Sequence, residues 1–254
     1  MSRPFLLAQL TDPHIGADWG GPVPPAAALA AAVDALRGSP DRPDAVVVTG
    51  DLADDGAGKQ YAVVREQLRR LELPFVVLPG NHDNRAAMRT AFELPVGADD
   101  PIHAAADLGP LRLLALDTTI PGAAGGALPE AELDWLERAL QDAPDRATIV
   151  AMHHPPVLTG VPAWDATAID AGEQTALGQL LDRHPQVLAL VAGHLHRTLV
   201  AAFAGRPLVV VPSTYMQSQL DWSGEEFVLV PEPPAFGLHA LLDGRLVSHV
   251  QPIT

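Results

Sequence analysis

Asp12 with His14, Asp51, Asn81, His153, and His194 with His196 are the residues of this sequence best suited to chemistry, because each follows closely on a short apolar run. Together they offer carboxylate oxygens, an amide oxygen and imidazole nitrogens, the hard and borderline donors that suit Mn, Fe, Zn or Co. Seven such donors exceed a tetrahedral zinc site. A carboxylate shared between two ions would give each about four protein contacts and leave positions open for water. Each block alone has a plainer reading. Asp-Pro and Gly-Asp are ordinary turn pairs, and a lone histidine is more often on the surface or satisfied in a core. The coincidence of five apolar runs ending this way carries the metal reading.

Those runs read as buried strands. Phe5 to Gln9, Ala45 to Thr49, Leu73 to Leu78, Thr148 to Met152 and Val187 to Ala192 are short and apolar, and Val46-Val47-Val48-Thr49 is a β-branched run. Strands covered on both faces have this composition, and ligands in open α/β sheets gather beyond the carboxyl ends of such strands. Asp12 and His14 lie two apart, which in an extended segment would send both side chains to one side. Helices fill the gaps: an alanine-rich segment preceded by Pro24 and Pro25 and running to about Arg37, then Lys59 to Arg70, Asn84 to Phe92, Pro129 to Leu140 and Gly172 to Arg183. Residues 94 to 110 read as loop with an edge strand near Ile102-His103. Leu111 to Leu116 is a further strand ending at Asp117. Beyond Thr198 short strands take over, among them Leu208 to Val211, Phe227 to Val230 and Leu238 to Leu242. Asp243-Gly244 signals a hairpin between that last run and Arg245 to Val250.

Composition narrows the function. The 254 residues, 48% hydrophobic, can bury a substantial core, and without a repeat or long linker we expect residues 1–254 to form one domain. The absence of cysteine removes disulfides, thiolate ligands and a thiol nucleophile. A net charge of -15 with only 16 Lys plus Arg disfavours a nucleic-acid polymer as partner. Small anions remain eligible substrates if cations supply the positive charge. The apolar stretch at the amino terminus is too short for a signal peptide or a membrane span, so no membrane partner and a cytoplasmic location are expected.

Asp12-Pro13-His14, Gly50-Asp51-Leu52-Ala53-Asp54, Gly80-Asn81-His82-Asp83, Met152-His153-His154 and Gly193-His194-Leu195-His196 together resemble, in order, the five blocks of the calcineurin-like metallophosphoesterases. Arg42 to Val48, His153-His154-Pro155-Pro156, Pro212-Ser213-Thr214 with Gln217, and Pro233 to His239 resemble the branch of bacterial class III cyclic nucleotide phosphodiesterases and related glycerophosphodiesterases. The resemblance implies an α/β fold, a four-layer sandwich of two mixed β-sheets flanked by helices, with 198–254 supplying carboxyl-terminal strands and pocket or dimer elements. It assigns Asp12, His14, Asp51 and His196 to one metal, and Asp51, Asn81, His153 and His194 to the other. It gives His82 to the substrate phosphate or leaving oxygen, with Asp54 orienting that imidazole through a hydrogen bond.

The expected activity is hydrolysis of a small phosphodiester by a metal-activated hydroxide, with two divalent or mixed-valence ions of Fe, Mn, Zn or Co. Cyclic AMP is the favoured substrate. Glycerophosphodiesters or a broad range of phosphoesters are the alternative, and a non-catalytic scaffold is the rival from another class. A homodimer is expected from relatives alone. Trp19, Tyr215 and Gln217 could line a pocket or pack the sandwich, while His154 would point away from its neighbour His153 and serve either the site or the core. His103, His184, His239 and His249 read as surface or core histidines.

Overall fold

The computed structural model describes residues 3–95, 97 and 100–253. Strand β2 (Ala45–Thr49) shows how the layers arise, since all five of its residues are buried. Val46 and Val48 pack towards helices, whereas Ala45 and Val47 pack towards a second sheet. Alternation along a strand gives it two faces, and here both find apolar partners. Parallel neighbours β1 (Phe5–Leu10) and β3 (Phe75–Leu78) flank β2. The antiparallel pair β12 (Ala235–Leu242) and β13 (Arg245–Pro252) completes a mixed sheet in the order β13-β12-β1-β2-β3.

The second sheet holds β4 (Ala104–Leu108), β5 (Leu111–Leu116), β6 (Thr148–Met152), β7 (Val187–Ala192), β8 (Leu199–Phe203) and β9 (Arg206–Val210). Its order is β4-β5-β6-β7-β9-β8, parallel from β5 to β9 with an antiparallel strand at each edge. Leu7, Val47 and Leu78 meet Leu113, Ile149 and Val191 between the sheets. Helices α1 (Pro25–Gly38), α2 (Gly58–Arg69) and α3 (Arg85–Phe92) cover the outer face of the first sheet with Leu29, Val33, Val64, Leu68 and Met88. Helices α4 (Glu130–Gln141) and α6 (Ala171–Asp182) cover the second with Leu136, Leu140, Leu177 and Leu181. The result is the expected four-layer sandwich. A short α5 (Pro162–Asp165) precedes α6, and a two-stranded ribbon joins β10 (Gln217–Ser218) to β11 (Leu229–Val230).

Several elements differ from the sequence expectation for local reasons. The edge strand begins at Ala104, because Ile102 and His103 are bonded instead to Asp117: Ile102 N–H donates to its carboxylate and His103 Nδ1 accepts its backbone N–H. Of the loop expected over 94–110, residues 96, 98 and 99 lie outside the described residues. The strand expected over Phe227 to Val230 shrinks to Leu229–Val230, leaving the Phe227 side chain free of the ladder. The Asp243-Gly244 hairpin is present, with φ of 46° and 77°, the left-handed pair that a tight two-residue turn requires. Among the described residues no helix is long and apolar enough to cross a membrane.

Candidate metal centre

The loops that leave β1, β2 and β7 turn with an unusual backbone. Asp12, His14, Asp51, His194 and His196 all adopt positive φ, between 42° and 70°. Such a conformation costs a non-glycine residue of order 1–3 kcal/mol and concentrates at functional sites. Asp12 and His14 therefore do not share a side by strand alternation, as the sequence suggested; the strand ends at Leu10 and left-handed turns bring both inward. Glycine makes room around Asp51. A side chain at Gly50 would strike the His153 ring, and one at Gly80 would strike the Asp51 carboxylate and backbone.

All seven sequence-selected donors meet at this end of the sandwich, and five of them gather around Asp51. Its Oδ2 lies 3.5 Å from His14 Nε2 and 3.4 Å from His153 Nε2, while its Oδ1 accepts the His82 backbone N–H at 2.9 Å. On one side, His14 Nε2 and His196 Nε2 approach to 3.0 Å, and His196 Nε2 lies 3.5 Å from Asp12. On the other, His153 Nε2 lies 3.1 Å from Asn81 Oδ1. His194 sits beyond, its ring 5.0 Å from that of His153, with its backbone N–H on the Asp12 carboxylate.

The second nitrogen of each imidazole shows which atom is left for an ion. His153 Nδ1–H donates to Thr49 O and His196 Nδ1–H donates to Met216 O, each at 2.8 Å. His14 Nδ1 lies 3.4 Å from the Asp54 carboxylate, and His194 Nε2 lies 2.8 Å from Thr167 Oγ1. His196 Nε2 and, with the His14 Nδ1–H directed at the Asp54 carboxylate, His14 Nε2 are thus bare acceptors 3.0 Å apart, an arrangement that repels unless a proton or a metal cation sits between them. His14 Nδ1 and Asp54 Oδ1 are otherwise buried without partners. The donor set therefore fits metal ions, with Nε2 of His14, His153 and His196 turned to the centre and their other nitrogens fixed by the protein.

Burial would raise the Asp51 carboxyl, but His153 beside it, with His14 and His82, holds it well below the usual carboxylate range. Burial would also depress His153, yet Asp51 and Asp12 hold it up at about 9. His82 is raised too, since the Asp51 charge and the Asp54 contacts outweigh its partial burial. Its Nδ1–H donates to the backbone carbonyl of Asp54 at 2.9 Å, while the Asp54 carboxylate stands 3.8 Å away. The expected carboxylate-to-His82 bond is thus a carbonyl-to-His82 bond. The carboxylate lies nearer His14.

A model of the calcineurin-like phosphoesterase family matches residues 5–198 of this chain. The chain belongs to that family. A glycerophosphodiester phosphodiesterase of Enterobacter lignolyticus is 32% identical over 252 residues, 96% of this chain and 90% of the relative. A 3′,5′-cyclic adenosine monophosphate phosphodiesterase of Escherichia coli is 35% identical over 225 residues, 87% and 78% of the two chains. A dimetal phosphatase of Danio rerio shares the fold, with a TM-score of 0.72 at 17% identity and coverage of 100% and 98%. This phosphoesterase is accordingly a hydrolase of phosphoric esters.

Beside the phosphoesterase's donor cluster opens a cavity of about 350 Å³, lined by Trp19, Ala124, Ala163, Thr167, Phe227 and Leu229 together with His14, Asp51, Asn81, His82, His194 and His196. Trp19 reaches it; Tyr215 stacks behind Trp19 at 5.8 Å, and Gln217 spends its amide on both backbone groups of Ser213. His154 is hydrogen-bonded through both ring nitrogens, with Nδ1 on Thr118 Oγ1 and Nε2–H donating to Ala124 O. Sequence reasoning gave no role to Asp83 or Thr167. Asp83 accepts the N–H groups of Leu52, Ala53 and Gly80, tying the Asp51 loop to the Asn81 loop. Its place directly after Asn81-His82 was a usable signal, whereas nothing in the run Ala166-Thr167-Ala168 marks Thr167.

Proposed function

We propose that this phosphoesterase hydrolyses small phosphodiesters in the cytoplasm, 3′,5′-cyclic nucleotides first among them, with two transition-metal ions of Fe, Mn, Zn or Co. The observation that carries this reading is the single Asp51 oxygen within 3.5 Å of both His14 Nε2 and His153 Nε2, the place of a bridging ligand. Asp12, His14, Asp51 and His196 would hold one ion, and Asp51, Asn81, His153 and His194 the other. When bound, the ions supply Lewis-acid stabilisation of phosphate charge and a more acidic water.

The chain's own groups do the rest. His82 keeps its Nδ1–H on the Asp54 carbonyl, so its Nε2 is the nitrogen left for the substrate. As an imidazolium, favoured by Asp51, it gives the Nε2 proton to the departing alkoxide, which would otherwise leave as a strong base. Trp19, Phe227 and Leu229 offer apolar surface for the group attached to phosphate, and no Lys or Arg is among the described residues lining the cavity. A singly charged diester with a flat, apolar substituent suits those walls better than a polyanion.

Glycerophosphodiesters are the second reading, favoured by the relative from Enterobacter that aligns over 96% of this chain. Steady-state kinetics of the Mn-loaded enzyme with cyclic AMP, cyclic GMP and glycerophosphodiesters separates the two. We expect kcat/KM for a cyclic nucleotide to lead by about tenfold or more, the scale of pocket discrimination by apolar contact. Efficient cleavage of glycerophosphodiesters without turnover of either cyclic nucleotide would replace the first reading with the second.

A further inference from the structure

The three imidazoles at the second-sheet side of the centre lie close together: the His194 ring is 4.5 Å from His154 and 5.0 Å from His153. His153 donates its Nδ1 proton to a backbone carbonyl, which can only accept, so its tautomer is set. His154 has both nitrogens engaged and is no substitute ligand. His194 differs. Its Nε2 meets a hydroxyl, Thr167 Oγ1, at 2.8 Å, and a hydroxyl can either give or take a proton.

The direction is decided one step further out. Thr167 Oγ1 also lies 3.0 Å from the backbone carbonyl of Trp164, and that carbonyl can only accept. The hydroxyl has one proton, and it goes to Trp164 O. Its oxygen is then left to accept Nε2–H from His194, which places the imidazole lone pair on Nδ1. Trp164 is buried at the end of the short helix α5, and the Thr167 carbonyl accepts the Gly126 N–H, so this turn is anchored on both sides. Thr167 itself lines the cavity.

We infer that Thr167 is a positioning residue: by donating its hydroxyl hydrogen bond to Trp164 O it fixes His194 as the Nε2–H tautomer and presents Nδ1 to the second ion. This rests on the dinuclear reading above. Outer partners of metal-binding imidazoles typically contribute about 10- to 100-fold in metal affinity. Thr167→Val keeps the shape and deletes the hydroxyl, while Thr167→Ser keeps the hydroxyl on a smaller side chain.

Two measurements test the inference. Long-range ¹H–¹⁵N spectra of the metal-free protein should show His194 as Nε2–H in the wild type and in Thr167→Ser, and as a tautomer mixture in Thr167→Val. Calorimetric titration with Mn²⁺ should show one of two ions binding about 10- to 100-fold more weakly to Thr167→Val, with the other ion unchanged and affinity restored in Thr167→Ser. An Nδ1–H tautomer in the wild type, or wild-type binding of both ions by Thr167→Val, would overturn it. If the wild type takes up one ion only, the dinuclear reading fails, and loss of the Nε2–H tautomer in Thr167→Val would still uphold the hold of Thr167 on His194.

Discussion

His153 and His196 lean on the backbone, through Thr49 O and Met216 O, whereas His14 and His194 lean on the side chains of Asp54 and Thr167. The first pair is oriented by carbonyls at the end of β2 and just before β10, which persist whatever residue occupies positions 49 and 216. The second pair can be loosened by changing a single side chain. One arm of the centre is thus inherited from the fold, and the other is adjustable one residue at a time.

The largest effect should come from the residue common to both arms. Asp51→Ala should remove both ions together and lower kcat by about 10³-fold or more, the scale of several kcal/mol of charge stabilisation. Asn81→Ala should weaken one ion and spare the other. Elemental analysis after dialysis checks both, and independent loss of the two ions in Asp51→Ala would break the bridging assignment. Next, His82→Ala should cost about 10²- to 10⁴-fold in kcat while metal content stays at the wild-type level.

Asp54→Ala tests the adjustable arm. Were the carboxylate on His82, as the resemblance implies, turnover would fall with metal content nearly intact. The geometry instead puts the carboxylate nearer His14 and leaves the backbone carbonyl on His82. The expected outcome is about 10- to 100-fold weaker binding of the ion held by His14, measured by calorimetry, with Asp54→Asn milder because its amide oxygen still accepts.

The last effect is on stability rather than activity, in the core beneath the backbone-held arm. Gln9 Nε2–H donates to Thr49 Oγ1 and to Ala192 O, and its Oε1 faces His239 Nε2 at 3.0 Å. Burial pushes His239 down to about 4. As pH falls, the unfolded chain therefore takes up this proton first. Its contribution is fully present above about 6.5 and declines by about 3 kcal/mol as pH falls to about 4. Urea unfolding at pH 7 and pH 5 should show a steeper loss for the wild type than for His239→Gln; parallel losses would show that His239 is already charged.

The strand ends were legible because their composition is forced: a strand buried on both faces has to be apolar, and its last apolar residue marks the turn that follows. Resemblance then supplied the division of ligands. What could not be read was the direction of the turns. Asp12-Pro13-His14 as letters suggests an extended pair, and only the folded backbone shows two left-handed residues in its place. Thr167 was invisible for a different reason. Its role depends on one hydroxyl proton shared between a nearby carbonyl and a residue 27 positions away. The β8-β9 hairpin was not singled out because its turn is Ala204-Gly205 rather than an asparagine or aspartate pair, although both residues are left-handed as such a turn requires.

The positive φ angles at Asp12, His14, Asp51, His194 and His196 bear on how this protein can change. At each of these positions glycine would suit the main chain better than the residue present, by the conformational preference that makes glycine the default for left-handed turns. Selection for thermal robustness alone would thus press on the very positions proposed to hold the two ions. Improvement in stability should come instead from the helices on the outer layers, where a change of side chain leaves these turns untouched.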